Sequence, residues 1–77
     1  MNKLTLPLQT VVVNSTAIKT AQYAHAERSL TLLYAGGGSY SYNGVPSHVF
    51  EGLRNSQSKG VFINTFILGS FSFNKLN

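Results

Sequence analysis

The feature that most restricts this chain is a pair of period-two runs on either side of a glycine triplet. Leu30, Leu32 and Tyr34 fall on one face of an extended segment, and Tyr40 and Tyr42 fall on one face of the next. Gly36, Gly37 and Gly38 lie between them. Glycine takes positive φ without steric cost, so the triplet suits a hairpin turn. The alternation predicts an antiparallel pair, with Ser39, Ser41 and Asn43 turned to the opposite face. A lone hairpin is marginal in water, so its apolar face must be covered by something else in the chain.

The flanking residues supply the cover. Upstream, Val11, Val12, Val13, Thr16, Ile18 and Thr20 are β-branched, which predicts one or two strand pieces broken near Asn14-Ser15. His25 to Ser29 is a polar turn. Downstream, Asn43-Gly44 turns the chain and Val45-Pro46 opens a helix over about 46–54, with Val49, Phe50 and Leu53 on its apolar side and Gly52 weakening it. Ser58 is a candidate N-cap for a second helix over about 59–68. There Phe62, Ile63, Phe66 and Ile67 form one apolar stripe, and Gly69 ends the helix. Strands followed by helices argue for an α+β fold: a small antiparallel sheet of about three strands, in the order β-β-β-α-α, packed on two short helices. One domain spans 1–77, with a core over about 13–70. Residues 1–10 read as an extended arm, in which Leu4, Leu6 and Leu8 alternate and Pro7 confines any pairing to an edge. Residues 70–77 read as a tail carrying Phe71 and Phe73.

Ionisable groups are scarce, and this narrows the chemistry. Lys3, Lys19, Arg28, Arg54, Lys59 and Lys75 stand against Glu27 and Glu51 alone, a net charge of +4. General acid–base catalysis needs two groups converging on one centre, and two isolated glutamates give no sign of that. A zinc site needs three or four ligands, whereas the chain has no cysteine, two histidines (His25 and His48) and those two acids. No serine sits in a strand–turn–helix elbow beside a recognisable base. The expectation is a non-enzyme with no cofactor and no metal. Without a leader-like apolar run or a span of about 18 apolar residues, the expected location is the cytoplasm, away from membranes.

Binding residues can still be nominated. The positive charge favours an acidic partner, with Lys3, Leu4, Leu6, Lys19, Arg28, Arg54, Lys59 and Lys75 as the candidate contacts. Ser56, Ser58 and Lys59 form a candidate anion site at the start of the second helix. The glycine triplet lies between strands and not before a helix, so a hairpin turn is preferred to a phosphate loop. Tyr40 and Tyr42 could stack on bases, but their shared face is better read as the one the helices cover.

Several of these residues together resemble the KTSC domain, a module named for the C-terminus of some lysyl-tRNA synthetases and also found as small standalone bacterial and phage proteins. The resemblance rests on Ser15-Thr16-Ala17-Ile18, then Tyr23, Leu30, Leu32 and Tyr34. It continues through Gly37, Tyr40 and Tyr42, then Val45-Pro46, Val49 and Leu53, and ends with Ser58, Gly60, Phe62, Asn64 and Ile67. It covers about residues 13–70. Ala24 stands where an aspartate is common in the family, and Ile63 replaces a second aromatic. The resemblance implies a binding role beside nucleic-acid machinery and no established chemistry. The resulting expectation is a phage or bacterial regulator docking on a larger information-processing enzyme, with host RNA polymerase the most concrete partner. The alternative is a module that binds RNA or DNA directly, in the manner of a tRNA binder.

Overall fold

The computed structural model describes residues 8–76. Strands β1 (Leu8–Val12), β2 (Ile18–Ala24), β3 (Ser29–Tyr34) and β4 (Ser39–Tyr42) follow one another. Helix α1 (Ser47–Asn55) comes next, then the short α2 (Lys59–Phe62), which runs directly into a π-helical turn over Ile63–Ile67, and finally strand β5 (Phe73–Lys75). The strands form one antiparallel sheet in the order β1-β2-β3-β4-β5. The fold is α+β with two short helices, as the element order implied.

The sheet has five strands where about three were expected, and each extra strand has a physical reason. Residues 8–10 belong to β1 and not to an arm, because the sheet pairs Leu8 with Ala24 and Val11 with Ala21. Val11 is the apolar residue that β1 turns into the core. Residues 1–7 lie outside the described residues. The expected tail contains β5, which pairs Phe73 with Tyr42 and Lys75 with Tyr40. Its attachment begins where the helical layer departs. The Asn43 N–H donates to Ser72 O at 2.9 Å, and the Asn43 side-chain amide reaches Ser72 Oγ at 3.3 Å and Asn74 Oδ1 at 3.1 Å.

The hairpin around the glycine triplet pairs Leu30 with Tyr42 and Leu32 with Tyr40, so all four share the inner face. Gly37 supplies the positive φ. In β2 the buried positions are Ile18, Ala21 and Tyr23, a spacing that strict alternation forbids. The register shifts between Ile18 and Thr20, leaving Lys19 without a Cα partner on β3. This bulge returns Ile18 to the core face and keeps Lys19 exposed.

The helices cover that inner face. Pro46 stands at the N-cap of α1 in an extended conformation, and Phe50 and Leu53 point inward. Phe50 stacks on Tyr23 with ring centroids 4.7 Å apart and planes 11° from parallel. Tyr23 is fully buried, and its hydroxyl donates to Val45 O at 2.6 Å, tying β2 to the entrance of α1. Gly52, which weakens α1, lets the helices approach: a Cβ there would come within 2.9 Å of the Phe62 ring. The expected regular helix over 59–68 is not uniform. The Leu68 N–H reaches back to Ile63 O at 3.0 Å, the wider π-type spacing. Ile63 and Ile67 are buried, but Phe66 is 54% exposed, so the expected four-residue stripe splits. Among the described residues no helix is long and apolar enough to cross a membrane.

Candidate functional site

The β1–β2 connection is a tightly hydrogen-bonded turn. Asn14 adopts a positive φ of 54°, and the N–H groups of Val13 and Asn14 both donate to Lys19 O, at 2.9 and 3.2 Å. Ser15 closes the turn: its Oγ accepts the Ile18 N–H at 3.0 Å, and its own N–H donates to Ile18 O at 3.0 Å. The Ala35 N–H donates to Ala17 O at 2.7 Å, fastening the turn to the end of β3. Gly60, in the first turn of α2, passes close by. A Cβ at Gly60 would lie 3.0 Å from Ser15 Cβ, so only glycine fits without displacement.

Between these parts lies a cleft of about 320 Å³. Thr16, Ala17 and Ile18 form one wall, Gly60, Val61, Asn64 and Leu68 the other, and Tyr34 also lines the space. Among the described residues no charged side chain lines it. Among the described residues the Thr16 hydroxyl and the Asn64 side-chain amide make no internal hydrogen bond, and both residues are exposed. Ser15 and Tyr34 also line it with hydroxyls already engaged, so the cleft offers one free hydroxyl, one amide that both donates and accepts, an aromatic ring and an apolar wall. It suits an uncharged group with hydrogen-bonding capacity.

Tyr34 joins the cleft to an aromatic cluster on the sheet. Its ring meets Tyr40 edge-on at 5.4 Å, and Phe73 lies 5.6 Å from Tyr40 and 5.5 Å from Tyr42. Burial raises the Tyr42 phenol well above its ordinary range, and its hydrogen bond with Tyr34 adds to the effect. Burial likewise raises the Tyr23 phenol, and the nearby Arg28 partly offsets this. Both hydroxyls stay protonated at neutral pH. Tyr40 and Tyr42 thus serve packing, Tyr42 being buried and Tyr40 packed against the core.

The basic residues lie on separate elements. Lys19 sits on the bulge at the start of β2, and Arg28 lies in the β2–β3 turn past its far end. Roughly 17 Å of strand separate Lys19 from Ala24 at about 3.4 Å per residue. Arg54 is held by Glu51 at 2.7 Å, and Lys75 lies on β5. Lys3, Leu4 and Leu6 lie outside the described residues. Ser56, Ser58 and Lys59 do come together, but they bond among themselves. Lys59 Nζ donates to Ser56 O at 2.8 Å, and the Ser58 N–H donates to Ser56 Oγ at 3.1 Å. Ser58 occupies the N-cap position of α2 without a side-chain cap bond. Glu27 and His48 are exposed, and the His25 ring meets Tyr23 edge-on while its Nε2 contacts Gln9 Oε1. Among the described residues no three of His, Cys, Asp and Glu form a cluster.

The cleft was not nominated from the sequence, although its parts were. Thr16 belongs to the Ser-Thr-Ala-Ile stretch and Asn64 to the Ser…Gly…Phe…Asn stretch, some fifty residues apart in the chain. The fold brings them to opposite walls of one space. The available signal was that both are polar residues within the stretches that carry the family resemblance.

Comparison with known proteins gives a consistent picture. The model of the KTSC domain matches residues 14–71. A protein of Tsukamurella paurometabola is 41% identical over 59 residues, covering 77% of this chain and 88% of its own length. A lysine–tRNA ligase of Nostoc punctiforme is 40% identical over 60 residues, covering 78% of this chain, and one of Nostoc sp. is 38% identical over a segment of the same length. The match spans only 11% of each ligase. The crystal structure of a KTSC domain protein from Yersinia pestis superposes with a TM-score of 0.83 at 30% identity, covering 92% of this chain and all of that one.

Proposed function

The chain belongs to the KTSC domain family, and from that premise we propose that it is a non-catalytic recognition module that grips a protein partner through the cleft between the β1–β2 turn and α2. The observation that carries this reading is that Thr16 and Asn64 line one cleft with their polar groups unused by the fold and, among the described residues, no charged side chain in the lining. An uncharged, partly apolar cleft favours a peptide segment over a phosphate.

The partner is a component of the information-processing machinery, with RNA polymerase the first candidate. The link is the presence of related segments in lysine–tRNA ligases together with the net charge of +4. Purified RNA polymerase titrated against the full chain tests this. Saturable binding is expected, and Thr16→Ala with Asn64→Ala should weaken it about 30-fold, corresponding to two hydrogen bonds of about 1 kcal/mol each. Because both residues are exposed and unbonded, the variants should keep the wild-type unfolding curve. No binding, or binding indifferent to both substitutions, would rule this reading out.

A second reading, direct RNA binding, is favoured by the same ligase relatives. The Tyr34 ring and the Asn64 amide could receive a single base, with Lys19 and Lys59 the chain neighbours of cleft residues. It predicts an affinity for tRNA or single-stranded RNA that falls steeply as salt rises. Flat salt dependence would exclude it.

A further inference from the structure

The two edges of the sheet are unequal. Strand β5 has three residues, and one of them is Lys75, so shortness and charge both discourage further pairing. Strand β1 has five residues, LQTVV, with no charge, no proline and no bulge of its own. Among the described residues it pairs only with β2, and its Leu8 and Val12 side chains are 58% and 69% exposed. None of the usual protections of an edge is present in it.

The hydrogen-bond phase of β1 defines what could lie beside it. The Val13 N–H donates to Lys19 O across the β2 side. By the alternation of an antiparallel ladder, Gln9 and Val11 also turn their N–H and C=O toward β2, while Leu8, Thr10 and Val12 turn theirs outward. A two-fold axis at Thr10 then sets Thr10 opposite Thr10 of a second copy and Leu8 opposite its Val12. All are positions whose backbone groups face the new strand. This register forms about six backbone hydrogen bonds. It also gives each exposed apolar side chain of β1 an apolar neighbour. A foreign strand need not offer that match, whereas a second copy offers it automatically.

Within β1 and β2 the one charged side chain, Lys19, does not oppose the arrangement. Lys19 is on β2, so the two copies of Lys19 are kept at least three strand spacings apart, about 14 Å. That exceeds the screening length of about 8 Å at physiological salt. We propose that β1 is a self-association edge, through which two copies of this chain join antiparallel about Thr10 into one continuous ten-stranded sheet.

Sedimentation velocity of the full chain over a thousandfold concentration range tests this. The expected result is a shift from monomer to twice the monomer mass at the upper concentrations. Thr10→Pro removes an outward N–H on an edge, which the monomer tolerates. It should raise the dimer dissociation constant at least tenfold with an unchanged far-UV circular dichroism spectrum. Thr10→Lys places two ammonium groups at the axis and should do the same, giving an independent result if the proline variant is unstable. A wild-type chain that stays monomeric throughout, or a dimer unaffected by Thr10→Lys, would overturn the proposal.

Discussion

Removing a single oxygen atom from Tyr23 should destabilise the whole domain. The Tyr23 hydroxyl donates to Val45 O at 2.6 Å, and both residues have no exposed surface. Tyr23→Phe keeps the ring stacked on Phe50 and leaves the Val45 carbonyl without its donor. Water has no open path to replace it. An unsatisfied buried carbonyl costs about 1–3 kcal/mol, and the more favourable burial of phenylalanine offsets part of this, for a net loss of about 2 kcal/mol. In a domain of this size that lowers the melting temperature by about 8–16 °C. Urea unfolding with an m-value of about 1 kcal/mol/M would show the midpoint falling by about 2 M with the slope unchanged. A loss below about 0.5 kcal/mol would refute the reasoning, because it would mean that Val45 O is satisfied without the phenol. A changed m-value would instead place the effect in the compactness of one of the two states.

Two further outcomes follow from the same geometry. Asn43→Ala should remove the side-chain bonds to Ser72 and Asn74, cost about 1 kcal/mol, and speed hydrogen exchange in Phe73–Lys75 while leaving β2 and β3 protected. Alkali should unfold the protein. The Tyr42 phenol is raised in the folded state, so the native form holds its proton where the unfolded chain releases it, and stability is lost as pH climbs above about 10. Urea midpoints at pH 8, 10 and 11 should show that decline, and Tyr42→Phe should flatten it; an equal decline in both proteins would remove Tyr42 as the cause.

Much of the sheet could be read along the chain because its strongest pairings are local. The Leu30–Tyr42 and Leu32–Tyr40 pairs flank one short turn, so alternation and a glycine run were sufficient. The places where the reading failed share a different property. Strand β5 depends on contacts with residues about thirty positions earlier, and three residues leave too short a pattern to recognise. The apolar alternation of Leu4, Leu6 and Leu8 suggested an arm, yet Leu8 opens β1, and the residue β1 buries is Val11, out of phase with Leu8. The bulge at Lys19 hid the core face of β2, because Ile18 and Ala21 share a side only after the ladder slips. The π-helical turn moved Phe66 outward for a comparable reason: one extra residue per turn defeats a 3.6-residue count. Ser56, Ser58 and Lys59 were read as an anion site from their hydroxyls and charge, and no local pattern showed that they would bond to one another. The cleft itself required the tertiary meeting of Ser15 and Gly60, which no local period records.

The short distance between Asn43 and Ser72 has an evolutionary meaning. The stretch that holds both helices leaves the sheet and rejoins it at two positions one hydrogen bond apart. Seen from the strands, everything between is a single closed detour, whose length the β-scaffold does not register. Lengthening or exchanging that detour would reshape one wall of the cleft while the β1–β2 turn supplies the other unchanged, so a lineage could retarget the module by altering one contiguous stretch of gene.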